Sequence, residues 1–246
     1  MPKIGSDDLT KITTPNNYGF SAVRAEDLEA SEYTLVSVIQ DVSSSVESFE
    51  QEMVDCLKTI LEACQDSPRA ENLMLRLVAF NTKVKELHGF RMLGSIDSNE
   101  YADILNVGGM TALYDGSHTA IDATLAYGKE LTEQGITTNA IIFVITDGDD
   151  NSSKFGPSEI KKLIEKAKKD ENVENVKVVL IGVTGGDSYL QGYLQTYKDE
   201  AGLDEYVDLT DTSPKTLARL ADFISRSISS QSQALGSGGP SASLTF

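Results

Sequence analysis

Histidine and cysteine are scarce in this sequence, with 2 of each among 246 residues. A serine nucleophile needs a base, normally His, held by a third group, and only His88 and His118 could serve. His118 follows Thr111 by seven residues, which along a helix is about 10 Å of rise away from the strand ends. Cys56 and Cys64 fall eight apart in one predicted helix, a rise of about 12 Å that forbids a mutual disulfide. With no CxxC pair, they read as small buried hydrophobes in a reducing compartment. Basic residues are in deficit too, 21 against 38 acidic, for a formal charge of −17. That balance disfavours nucleic acid and anionic membrane as partners. No stretch approaches the roughly 20 apolar residues that cross a bilayer, and the start, MPKIGSDDLTK, lacks the apolar core of a secretory signal. The expectation is a cytoplasmic protein. Neither G-x-x-x-x-G-K-[ST] nor G-x-G-x-x-G occurs, so no nucleotide-binding loop is signalled, and the sequence has no internal repeat.

What is present is the material of one α/β domain, 40% hydrophobic and 24% charged, enough for a large core. Apolar runs without strict alternation recur at YTLVSVI (33–39), LMLRLVAF (73–80), AIIFVI (140–145) and VKVVLIGV (176–183). Such runs are strands covered on both faces, as in a parallel sheet. Helical stripes lie between them: Phe49, Met53, Leu57, Ile60 and Cys64; Leu113, Ala120, Ile121, Leu125 and Leu131; then Ile160, Leu163 and Ile164. The repeated β-α-β order implies right-handed crossovers. The predicted fold is α/β, a Rossmann-like doubly wound and mainly parallel central sheet, with one antiparallel edge strand near Val84 to Leu87 and helices on both faces. A further helix starts near Asp187, a short strand falls at EYVDL, and a last helix runs from Ser213 to about Ser227, its Ser-Pro start a good N-terminal signal. Residues 1–30 read as a polar, irregular N-terminal extension whose packing the sequence leaves open. Residues 31–229 read as the domain, and 230–246, rich in Ser, Gly and Gln, as a flexible tail.

In an open doubly wound sheet, ligands bind beyond the carboxyl ends of the strands, where the strand order reverses. Three segments fall there: DVSSS after the first run, GGMTALYDG (108–116) before a helix, and TDGDDNS (146–152) after AIIFVI. They offer hard oxygen donors, namely Asp41, Ser43 and Ser45, then Thr111, then Asp147. Spacing of i, i+2, i+4 in an extended loop lets Asp41, Ser43 and Ser45 converge. Singly, each has a bland account, since Ser45 could cap a helix and Asp147 could sit in a turn. Together, with no Cys or His nearby, they suit Mg²⁺ or Ca²⁺ rather than zinc. DGDDNSS also starts like a calcium loop, but its sixth position is Ser152 instead of Gly and its twelfth is Ser158 instead of Glu.

DVSSS resembles the D-x-S-x-S signature of von Willebrand factor type A (VWA) domains. GGMTALYDG and VITDGDDNS are similar to that family's Thr loop and second Asp loop, in the family's order, over roughly residues 32–229. Ser44 and Met110 stand where the family often has Gly, and neither replaces a ligand. The resemblance, to VWA proteins of bacterial or phage cytosolic type, implies a metal-ion-dependent adhesion site (MIDAS). There Asp41, Ser43, Ser45, Thr111 and Asp147 would hold Mg²⁺, with Ca²⁺ or Mn²⁺ as substitutes. An unknown protein partner would supply an Asp or Glu to the metal, and binding would proceed without catalysis. Two alternatives stand beside it. One is Mg²⁺-dependent phosphoryl transfer through Asp41, although Ser43 occupies the place of the second acid in a D-x-D-x-T motif. The other is a VWA subunit of an ATPase-linked assembly, as in proteins resembling tellurium-resistance components. Nothing in the sequence indicates an oligomeric state.

Overall fold

Four doubly covered apolar runs become the centre of an eight-stranded sheet. The computed structural model describes residues 9–48, 50–101, 106–170, 173, 175–211, 213–234 and 246. Its strands are β1 (Leu9–Thr13), β2 (Gly19–Val23), β3 (Glu32–Asp41), β4 (Leu73–Phe80), β5 (Val84–Met92), β6 (Thr137–Thr146), β7 (Asn175–Val183) and β8 (Glu205–Leu209). The helices are α1 (Glu50–Gln65), α2 (Leu113–Glu133), α3 (Pro157–Asp170), α4 (Ser188–Ala201) and α5 (Pro214–Ala234). The strand order is β1-β2-β5-β4-β3-β6-β7-β8. Strands β4, β3, β6, β7 and β8 run parallel, and β5 runs antiparallel to β4. The chain leaves β3 toward β4 on one side and returns to β6 on the other, so the strand order reverses between β3 and β6. That is where such a sheet opens a crevice.

Side chains alternate across each strand between two cores. Val36, Val38, Leu75, Leu77, Ile141 and Phe143 pack under α1 and α5, whereas Leu35, Ile39, Met74, Val78, Ile142 and Val144 pack under α2, α3 and α4. Both faces are therefore apolar, which is why the runs show no alternation. The α1 stripe of Met53, Leu57, Ile60 and Cys64 is buried as predicted; Phe49 lies outside the described residues. Cys56 and Cys64 are buried and take part in no disulfide among the described residues. Among the described residues no helix is long and apolar enough to cross a membrane.

The ends of the chain differ from expectation. Residues 9–23 are not an irregular extension, because β1 and β2 form an antiparallel hairpin, Leu9 opposite Val23 and Thr13 opposite Gly19, that joins the sheet beside β5. Phe20 and Ala22 of β2 are buried against Phe90 and Tyr127. The antiparallel strand expected at Val84 to Leu87 is present as the longer β5, and the outermost place on that side belongs to β1. At the other end α5 continues past Ser227 to Ala234. Its polar last turns reach back to the sheet: Ser232 Oγ shares a 3.1 Å hydrogen bond with Thr34 Oγ1, and Gln231 Nε2 donates to Ala140 O at 2.9 Å. The rest of the expected tail, 235–245, lies outside the described residues.

Candidate functional site

Asp41 is the last residue of β3, and the register that pairs Gln40 with Ile145 brings Thr146 beside it at the end of β6. Thr146 Oγ1 donates to Asp41 Oδ2 at 2.6 Å, and Ser43 N donates to Asp41 Oδ1 at 2.8 Å. Both carboxylate oxygens are thus fixed before anything binds. A 3-10 turn over Ser44–Ser48 precedes α1. It aims Ser45 Oγ at Asp147 Oδ1, to which it donates at 3.0 Å, and Ser43 Oγ lies 3.0 Å from Ser45 Oγ. Ser45 therefore spends its hydroxyl on an acid of a different loop.

Thr111 arrives from the third loop. A methyl group on Gly148 would lie 3.6 Å from Ser45 Oγ and 3.8 Å from Thr111 Oγ1, so both hydroxyls border the same point beside Asp147. The Thr loop is pinned onto its neighbours: Ser44 N donates to Gly109 O, Gly108 N to Val42 O, and Asn81 Nδ2 to Gly108 O. Gly109 has φ of +89°, and a Cβ there would meet Thr82 Oγ1 at 2.8 Å, so a side chain at 109 is excluded on both counts. Thr111 N donates to Asn151 Oδ1 at 2.8 Å, and Thr111 O accepts from Asn151 N at 2.9 Å. The Thr and second Asp loops are in this way held as one unit. All five predicted residues come together. Asp41, Ser43, Thr111 and Asp147 are buried, and Ser45 is exposed, which leaves the cluster open to solvent on its side.

The charge on this cluster is not neutralised by the protein. Among the described residues neither Asp41 nor Asp147 takes part in an ion pair. Burial raises the Asp41 carboxyl above its usual range, against the hydrogen bonds from Thr146 and Ser43 that lower it. Burial first, and then the Asp41 charge, push Asp147 up to about 6. Two buried like charges facing shared hydroxyls are the arrangement a cation relieves. Among the described residues no group of three or more His, Cys, Asp or Glu could hold a metal. What exists is an oxygen-only set of two carboxylates and three hydroxyls, which fits a hard cation.

The remaining acids of TDGDDNS have structural work. Asp150 Oδ2 accepts from Tyr114 N in the first turn of α2, and Tyr193 Oη accepts from Asp150 N at 3.0 Å. Asp149 Oδ2 accepts from Tyr189 Oη at 3.2 Å. Neither histidine hydrogen-bonds to the cluster: His88 Nε2 lies 2.6 Å from Tyr101 Oη, and His118 stacks on Phe155 at 3.8 Å between centroids.

A family model described as von Willebrand factor type A domain matches residues 36–226, a span that contains all three loops. The chain belongs to the VWA domain family. Solved structures agree on the fold. The PilB minor pilin from Streptococcus sanguinis superposes with a TM-score of 0.58 at 17% identity, over 87% of this chain and 64% of that one. Proximal thread matrix protein 1 from the mussel byssus gives 0.58 at 18% identity, over 83% and 49%. The ArnB paralog VWA2 from Sulfolobus acidocaldarius gives 0.50 at 17%, over 81% and 46%. This VWA domain therefore spans less than two thirds of each of those chains, and at such identities the likeness is one of fold. No curated protein matches the sequence. Within the VWA domain, sequence reasoning missed Thr146 and Asn151, the residues that orient Asp41 and Thr111. Their signal was position alone, one residue before Asp147 and four after it.

Proposed function

We propose that this VWA domain is a metal-dependent protein-binding module. In this reading Asp41, Ser43, Ser45, Thr111 and Asp147 form a MIDAS for Mg²⁺, with Ca²⁺ or Mn²⁺ as substitutes, and a partner protein supplies an Asp or Glu. One observation carries it: two buried carboxylates at the crevice between β3 and β6, bridged by serine hydroxyls and, among the described residues, in no ion pair. When bound, the metal supplies a Lewis-acidic point that attracts a carboxylate. The chain's own residues do the positioning. Thr146 and the Ser43 amide hold Asp41 in one orientation, Asn151 holds Thr111, and the exposed side at Ser45 gives access to a side chain from another molecule. Mg²⁺ keeps several waters and takes few protein ligands, and three neutral hydroxyls leave the ion its appetite for an anionic oxygen.

The reading is of binding without catalysis in a cytoplasmic setting, the latter supported by two cysteines kept as buried thiols. Capture from a native lysate in Mg²⁺, in chelator, and with Asp41→Ala tests the metal's part. Bands present only in the first arm are expected, and identical bands in all arms would remove the metal from recognition. Mg²⁺-dependent hydrolysis of a generic phosphate ester, lost in Asp41→Asn, would replace the binding reading with phosphoryl transfer.

A further inference from the structure

Among the described residues the large hydrophobic side chains left exposed are Met110 at 49%, Tyr189 at 67% and Phe155 at 36%. All three belong to the loops and helix starts beyond the carboxyl ends of the strands. Phe155 gives one face to His118, but Met110 and Tyr189 turn outward on two sides of the oxygen cluster. Met110 N is held by Thr82 Oγ1 at 2.9 Å, just past the end of β4, whereas Tyr189 opens α4 after β7. The sheet order β4-β3-β6-β7 puts Asp41 and Asp147 between them.

Neither exposure comes from slack. The Met110 backbone is fastened through Thr82, Gly109 and Asn81. Tyr189 is tied at both ends, its N–H to Asp187 Oδ1 at 2.8 Å and its hydroxyl to Asp149 Oδ2 at 3.2 Å, with Tyr193 stacked behind it. A rigid aromatic of this kind loses little entropy on burial, and Tyr and Met are enriched at interfaces. The same two acids set the charge. Tyr189 meets one carboxylate at its hydroxyl, Asp149, and another at its backbone N–H, Asp187, and among the described residues neither acid is in an ion pair. An exposed aromatic ring with an unpaired carboxylate at either end of its residue favours a cationic side chain.

We propose that Met110 and Tyr189 are the apolar anchors of a docking face around the cluster. Its occupant is a partner-protein segment with an acidic residue, an apolar neighbour that covers Met110, and a Lys or Arg that lies over Tyr189. The acidic residue rests on the metal-dependent reading above; the flanking residues rest on the exposed anchors and the charge beside them.

Selection of a random linear peptide library, displayed on phage, against the immobilised full chain in Mg²⁺ tests the face. Enriched peptides should combine Asp or Glu, an apolar residue and Lys or Arg. Met110→Ser and Tyr189→Ser should each lower recovery of those peptides about tenfold, and Asp149→Asn with Asp187→Asn should remove the Lys or Arg preference while the acid is kept. Acidic peptides with random flanks, indifferent to these variants, would overturn the docking face and leave the metal reading standing. Flank preferences that survive in chelator would sustain the face and overturn the metal reading. Failure to enrich any peptide would overturn the proposed linear occupant.

Discussion

Burial and the neighbouring Asp41 charge hold the Asp147 carboxyl at about 6 when folded, against an ordinary 3.8. The folded chain therefore binds this proton more tightly than the unfolded one does. Its contribution to stability is fully present below the unfolded value and is lost as pH rises from about 4 through about 6. Above that window the second carboxylate is a standing cost. Asp147→Asn, with no divalent ion present, is expected to raise stability at pH 7 by on the order of 1–2 kcal/mol and to give no gain at pH 4. Urea denaturation at the two pH values measures both. A variant less stable than wild type at pH 7 would show that the Ser45 hydrogen bond outweighs the repulsion. The five oxygen-bearing residues were legible in the sequence because Asp41 ends a strongly patterned strand and the other four lie just after or before such elements. Their supports were not. Thr146 acts through the strand register and Asn151 through a backbone amide, and neither relation has a spacing rule.

Elements repeat this contrast. The central strands were legible because both faces are buried, whereas β1 and β2 are short and half exposed, with Lys11 and two threonines in LTKIT. Their fastening is also unlike ordinary pairing. A single bridge, Ala22 with Phe90, joins β2 to β5, and a Cβ at Gly89 would overlap Ser21 O at 1.9 Å, so only glycine allows the approach. Side chains supply the rest. Glu86 Oε1 accepts from Ser21 N and Oγ at 2.9 and 2.6 Å, and Glu86 Oε2 accepts from Arg76 Nε at 2.8 Å. Arg76 is fully buried, its guanidinium 5.6 Å from the Tyr18 ring centroid and 5.8 Å from that of Phe20. The charged residue inside LMLRLVAF was the one sequence sign that something polar must be met there. Glu86→Ala strands that buried charge and should cost about 3 kcal/mol. Hydrogen exchange should show residues 9–23 losing protection before the centre of the sheet. Equal loss in β3 and β6 would mean that the hairpin does not open as its own unit.

At the scale of the molecule, metal binding and net charge both predict stabilisation by divalent ions, and they must be separated. An ion that binds only the folded chain stabilises it by about 2.7 kcal/mol at a concentration one hundred times its Kd. For a domain of this size that is a rise in Tm of roughly 5–10 °C. A formal charge of −17 also repels itself, and any added salt screens that repulsion. Screening depends on ionic strength and is indifferent to one buried carboxylate. The site is not. Thermal melts of wild type in MgCl₂, and in NaCl at matched ionic strength, should therefore diverge, with the larger rise in MgCl₂ and a plateau once the site is filled. Asp41→Ala should give the same small rise in both salts, because it keeps nearly all of the net charge and loses the residue that Thr146 and Ser43 hold in place. Equal MgCl₂ responses in wild type and Asp41→Ala would locate the whole effect in the molecule's charge, and the oxygen cluster would then be a polar crevice with no ion of its own.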